Sequence, residues 1–167
     1  MALFSAKVDY RIENPKTTKI DGEVNGSYFS GRIEMTYLNE TKDLKKYTIS
    51  IGENSSNICL HDFNIKIDKN PFIIKIMEKE EARKIFKNKI RDNEQAVFGE
   101  GSDSYTTIEI PNVLPNQVLT ISAEFEIPVS FPSKNTIGVI FPLTCPSDYG
   151  DPTILKCSDF HFSSKFS

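Results

Sequence analysis

Few residues in this chain can do chemistry on their own. The 167 residues hold two histidines and three cysteines. Cys59 and His61 stand at i and i+2, so on a strand they share a face and could grip one metal ion. Two donors fall short of a tetrahedral zinc set, and a core thiol beside a bulge is the plainer reading. Asp148 and Asp151, in "SDYGDP", offer carboxylates to calcium. Calcium takes about six to eight oxygens, so a solvated turn explains the pair better. "GEGSDS" at 99–104 is not a phosphate-binding loop: no lysine follows it, and acids sit where a phosphate would. There is no Gly-x-Ser-x-Gly elbow and no His-Glu-x-x-His pair. These residues imply no catalytic group, no cofactor and no metal.

Bulk properties narrow the remaining classes. The length fits one domain over 1–167 with a real core. A net charge of −3 and a pI near 5.5 give no general pull toward phosphate backbones, which argues against nucleic acid as a partner. Mean hydropathy is −0.34. No apolar run approaches the roughly 18 residues of a membrane helix, so no membrane partner is expected. "MALFSAKVDYRIE" lacks the basic-then-apolar order of a secretory signal. An odd cysteine count (Cys59, Cys145, Cys157) without a Cys-x-x-Cys pair reads as reduced thiols, and the expected location is cytoplasmic. Sequons at Asn25, Asn39 and Asn54 matter only in an exported protein.

The elements that must position any site are mostly strands. Phe4, Ala6, Val8, Tyr10 and Ile12 alternate with polar residues and predict a strand over 4–12. "NPKTTKIDG" reads as a loop. Phe29, Gly31, Ile33, Met35 and Tyr37 share one face of the next strand, where Gly31 marks a bend, bulge or close backbone contact. Tyr47, Ile49 and Ile51 follow. Between Leu60 and Phe63 the alternation slips by one residue near His61-Asp62, as at a β-bulge. Phe72, Ile74 and Ile76 resume it, and Thr106, Ile108 and Ile110 form another strand. Over 118–131, Leu119, Ile121, Ala123, Phe125, Ile127, Val129 and Phe131 face in, with Pro128 limiting the late half to an edge or bend. Ile137, Val139 and Phe141 add one more strand. Phe160, Phe162 and Phe166 share a parity near the end, which predicts a strand within 154–167 that pairs with residues 4–12. The whole reads as mainly β: an antiparallel β-sandwich of about eight or nine strands.

The period turns helical only once, in "IMEKEEARKIFKNKIRDNEQAVF". Ala82, Ile85, Phe86 and Ile90 make one apolar stripe, and an amphipathic α-helix is expected over about 78–92. Acids lead it and bases close it, which complements the helix dipole. A helix this short must bury its stripe, and a lid over one end of the sandwich is the expected place. Arg83, Lys84, Lys87 and Arg91 form the candidate surface for a partner.

The order of "DGEVNGSYFSGRIEMTYLNET", the helix segment and "YTTIEIPNVLPNQVLTISAEFEIPV" resembles the vault protein inter-alpha-trypsin (VIT) domain. Lys79-Glu80-Glu81-Ala82 followed by Phe86 is similar to the family's helix, although Phe86 stands where tyrosine is usual. Ala96-Val97-Phe98 resembles its exit. Asn112, Pro115 and Val118 are similar to the turn and strand that follow, and Ile140-Phe141-Pro142-Leu143-Thr144 to a segment near the family's end. Asn93 stands where glycine is common. The resemblance covers about 20–145, leaving 146–167 as a C-terminal segment.

The resemblance implies an all-β module with one helix, usually placed before a von Willebrand A domain in a larger protein. The Asp-x-Ser-x-Ser metal motif of that domain does not occur here. The expected function is a non-catalytic protein–protein interaction or scaffolding module, N-terminal in a larger protein that continues past Ser167, with a protein partner. An N-terminal fragment of an enzyme similar to poly(ADP-ribose) polymerase relatives and a secreted matrix or adhesion module are the alternatives.

Overall fold

The computed structural model describes residues 4–9, 11–52, 59–72, 78–101, 105–134, 136–139, 144–146, 152–154 and 159–166. Two large sheets dominate. The five-stranded sheet has the order β2 (Arg11–Glu13), β1 (Phe4–Val8), β5 (Lys45–Gly52), β9 (Tyr105–Val113), β8 (Phe98–Gly101). The six-stranded sheet has the order β15 (Asp159–Phe166), β3 (Thr17–Asn25), β4 (Tyr28–Leu38), β10 (Val118–Pro128), β6 (Cys59–Ile67), β7 (Asn70–Phe72). All pairs are antiparallel except β15 with β3, which is parallel. Two ribbons, β11 (Ser130–Ser133) with β12 (Thr136–Gly138) and β13 (Thr144–Pro146) with β14 (Pro152–Ile154), form separate sheets. The expected sandwich is present, with more and shorter strands than expected.

One buried cluster joins the sheets. Tyr47, Ile49, Ile108 and Ile110 from the first meet Phe29, Ile33, Met35, Tyr37, Leu119, Ile121 and Phe125 from the second. The Tyr37 and Tyr47 rings lie 6.1 Å apart across the layers. Alternation explains this placement: every second residue of a half-buried strand points to the core. Each fully buried large apolar side chain contributes about 1.5–3 kcal/mol.

Three local expectations change. Residues 4–12 do not form one strand. Asp9, at φ 48, reverses the chain into a hairpin that pairs Val8 with Arg11. The alternation runs on through both arms and conceals the turn. "NPKTTKIDG" is not a loop: Thr17–Asn25 is β3, with Thr18, Ile20 and Val24 buried. Thr18 and Gly22 dilute its apolar face. The C-terminal strand exists, but β15 pairs with β3, aligning Asp159 with Thr17, and not with 4–12.

The strand at 118–131 also ends early. β10 stops at Pro128, and Phe131 is 59% exposed on β11. Proline cannot donate to the ladder, so the chain leaves the sheet there. Ser122, on the opposite parity to the inward residues, is buried beneath Arg32, which donates Nη2–H to Ser122 Oγ at 3.0 Å. Ile74, Ile76 and Phe141 lie outside the described residues.

Two irregularities match the reading of the chain. Against β10 the register of β6 shifts between Ser122 and Glu124, with Asp62 at φ 47, which is the bulge at His61-Asp62. Gly31 makes a close contact: a Cβ there would lie 2.5 Å from Phe29 Cε1 and 2.8 Å from the Asp21 carbonyl oxygen. Gly22 stands opposite Gly31, and the buried Phe29 ring occupies the space that neither side chain fills. Gly31→Ala should therefore cost about 1–3 kcal/mol by overpacking. Gly99→Ala, where the nearest atom outside the neighbouring residues is at 3.5 Å, should change stability little. Denaturant midpoints of the two variants check this, and equal effects would remove the close contact as the reason for Gly31.

Candidate interaction surface on the helix

The helix α1 spans Lys79–Arg91, inside the expected 78–92. Its ends are closed by its own side chains and turns. Glu78 caps the start, its carboxylate accepting from the Glu81 N–H at 3.0 Å. The Glu80 backbone N–H, and then that of Glu81, holds the Glu78 carboxyl below its ordinary value. At the other end Asn93 takes a left-handed conformation, φ 56. Its N–H donates to the Ile90 carbonyl and that of Glu94 to Lys89, the paired bonds of a Schellman stop. Asparagine supplies here the backbone freedom that glycine usually gives.

The buried side of α1 differs from the expected stripe. Phe86 is buried and stacks on Phe98 of β8, ring centroids 5.2 Å apart, while Ala82 and Ile90 are half-buried. Ile85 is 41% exposed. The helix thus packs on the edge strand of the five-stranded sheet, and Phe86 lies outside the inter-sheet core. A second bond system fixes it there. Glu100 of β8 accepts from Arg83 Nη2 at 2.7 Å and from Lys79 Nζ. These two cations hold the Glu100 carboxyl below its ordinary value of 4.5, and Glu100 raises that of Arg83.

Each residue of the candidate surface can now be placed. Arg83 reaches Glu100, and Glu80 at 3.6 Å. Arg91 lies 3.4 Å from its neighbour Asp92. Lys84 and Lys87 are exposed, with no acid in ion-pair distance among the described residues. The outward face therefore presents Lys84 and Lys87, three residues apart, while the exposed Ile85 lies round the helix from them, on the side of Glu81 and Lys89. Helical spacing pointed to both lysines; the Glu100 bond to Arg83 had no signal in the sequence, because it joins residues of different elements.

Polar side chains tie the helix exit to the sheets. Gln95 Nε2–H donates to the Asn112 carbonyl at 3.2 Å and to Gln117 Oε1 at 2.5 Å, while Asn112 Nδ2–H donates to the Glu94 carbonyl. Gln117 Oε1 also accepts from the Leu114 N–H, and Gln117 Nε2–H donates to Asp68. Asn39, fully buried, donates Nδ2–H to the Asp43 and Val113 carbonyls, each at 2.9 Å. Tyr47 is buried nearby in sequence, with a hydroxyl that has no partner among the described residues, and burial raises its pKa far above the ordinary phenol.

Cys59 departs from the sequence reading: it is a free, exposed thiol, not a core one. The bulge puts Cys59 and His61 on the outer face. His61 meets the carboxylates of Asp62 and Glu124 there, with Nδ1–O distances of 3.8 and 3.9 Å. The side chains of Cys145 and Cys157 lie outside the described residues.

The architecture defines a class: a β-sandwich module carrying one capped helix on an edge strand. Within that class the chain belongs to the vault protein inter-alpha-trypsin domain family, whose model matches residues 15–125. A comparison with curated proteins gave no match.

Two outcomes follow from the helix contacts. Phe86→Ala should lose about 3–5 kcal/mol, seen as a large fall in melting temperature. Lys87→Ala, on the outer face, should leave it nearly unchanged; similar small effects from both would refute the packing described. The second outcome concerns acid. A depressed folded-state pKa at Glu100 means that its contribution is fully present above 4.5 and fades as pH falls through the lower folded value. Melting temperatures measured against pH should show wild type above Glu100→Gln near neutrality, with the gap closing in acid. A constant gap would mean that the carboxylate charge is not what Lys79 and Arg83 hold.

Proposed function

We propose that this domain is a non-catalytic protein-interaction module of a larger cytoplasmic protein, and that the outer face of α1 meets its protein partner. One observation carries the reading. The inner side of the helix is committed to β8 through Phe86 and Glu100, while Lys84 and Lys87, three residues apart on the outer side, stay exposed with no acid in ion-pair distance among the described residues. Charge complementarity steers a partner onto such a face and fixes its register. The partner surface that fits is acidic. A von Willebrand A domain in the same chain is the first partner to consider, following the family's usual arrangement. The free, exposed Cys59 suits a reducing compartment. No helix among the described residues is long and apolar enough to cross a membrane.

A secreted role would lean on the sequons, and the two that are described differ. Asn25 is exposed at the β3–β4 hairpin, whereas the Asn39 amide is buried and spent on two carbonyls. Asn39 cannot carry a glycan in this fold.

The test is capture of a defined partner from the native source by immobilised protein. Lys84→Glu combined with Lys87→Glu should abolish capture without shifting the melting temperature, because both side chains are exposed. Charge reversal at Lys19, exposed on β3, serves as the control and should leave capture intact. Equal capture by all three proteins would place the contact surface elsewhere.

A further inference from the structure

We propose that His61, Asp62 and Glu124 form a binding site for a divalent first-row metal ion on the outer face of the six-stranded sheet. The bulge in β6 creates the grouping. Neighbouring residues of a regular strand point to opposite faces. Here the register slips between Ser122 and Glu124, and Asp62 takes φ 47. That turn brings the Asp62 carboxylate 3.8 Å from His61 Nδ1, while Glu124, paired with His61 across the ladder, comes within 3.9 Å of the same nitrogen. One donor atom from each residue lies within 4.8 Å of the other two. Re-aiming a side chain in this way is a recurrent use of bulges.

The donor chemistry fits a cation of this class. One imidazole nitrogen and two carboxylate oxygens are the N/O set that suits manganese, cobalt or zinc. Around such an ion the donors would stand roughly 3 to 3.5 Å apart, given metal–ligand bonds of about 2.0–2.2 Å. Side chains that are 45%, 73% and 47% exposed can close the remaining distance by rotation. Three protein donors leave further coordination positions, all facing solvent, for water. The local charge is also unspent. Neither Asp62 nor Glu124 has a lysine or arginine within ion-pair distance among the described residues. Arg32 stands opposite Glu124 in the ladder, yet it donates to Ser122.

Cys59, two residues away and exposed, would compete for thiophilic ions, so Mn²⁺ is the probe. The full chain is titrated with MnCl₂, following water-proton relaxation for affinity and the ring signals of the two histidines by NMR. Saturable binding is expected, with the His61 signals broadening well before those of His161. Asp62→Asn and Glu124→Gln should each weaken Mn²⁺ by about tenfold or more. Glu126→Gln removes the same charge two residues along β10 and should weaken it less than twofold. Loss as large in Glu126→Gln as in Glu124→Gln would reduce the effect to diffuse negative charge and overturn the proposal. So would joint broadening of both histidines, or less than twofold change in both cluster variants.

Discussion

The two sheets end together because of a small set of amide side chains. Gln117 uses its oxygen for the Leu114 N–H and for Gln95, and its nitrogen for Asp68. Asp68 also accepts from the Val118 N–H. Asn39 receives the Asn116 N–H on its carbonyl and spends its side chain on Val113 and Asp43. Loops from both sheets and the exit of the helix thus share one bonded unit. Buried backbone groups must find partners, and at the end of a sandwich no ladder supplies them. These amides do. The irregular backbone beside them follows: Asp68, Asn112 and Asn116 all take positive φ. Pro111 sits in the β9 irregularity between Ile110 and Val113, where a missing N–H breaks no ladder bond.

The helix is held in a different manner. Its core contact is a single aromatic stack, and its orientation is set by one carboxylate with two cations. The inter-sheet core is extensive and apolar, and Phe86 packs outside it. A helix attached through few groups at an edge strand can present an outer face without disturbing the layers beneath. Lys84 and Lys87 gain their availability from this, while Glu100, Glu80 and Glu94 are engaged with Lys79, Arg83 and Lys89.

Much of this was legible where one rule governs a whole segment. The alternation of Phe29, Ile33, Met35 and Tyr37, and that of Leu119 through Ile127, placed β4 and β10. The charges and stripe of α1 placed its ends nearly to the residue, and the parity slip placed the bulge at His61. What escaped depends on groups distant in sequence or on one backbone angle. Asp9 carries no mark of its left-handed turn. β3 hid behind Thr18 and Gly22 because Phe29, on the next strand, supplies the apolar surface there. Ile85 fits the helical period as well as Phe86 does, and only the position of β8 decides between them. Glu124 joins His61 through strand register, which no local pattern encodes.

The parallel pairing of β15 with β3 has a temporal consequence. A ribosome releases Thr17–Asn25 long before the strand that covers its outer edge, Asp159–Phe166. Until that strand emerges, β3 keeps a row of unmatched amides open to any passing strand. Closing so long a loop carries a large entropic cost, and pairings this remote in sequence slow folding. Chaperone demand should therefore peak in the interval before Asp159–Phe166 emerges, while the edge of β3 still waits.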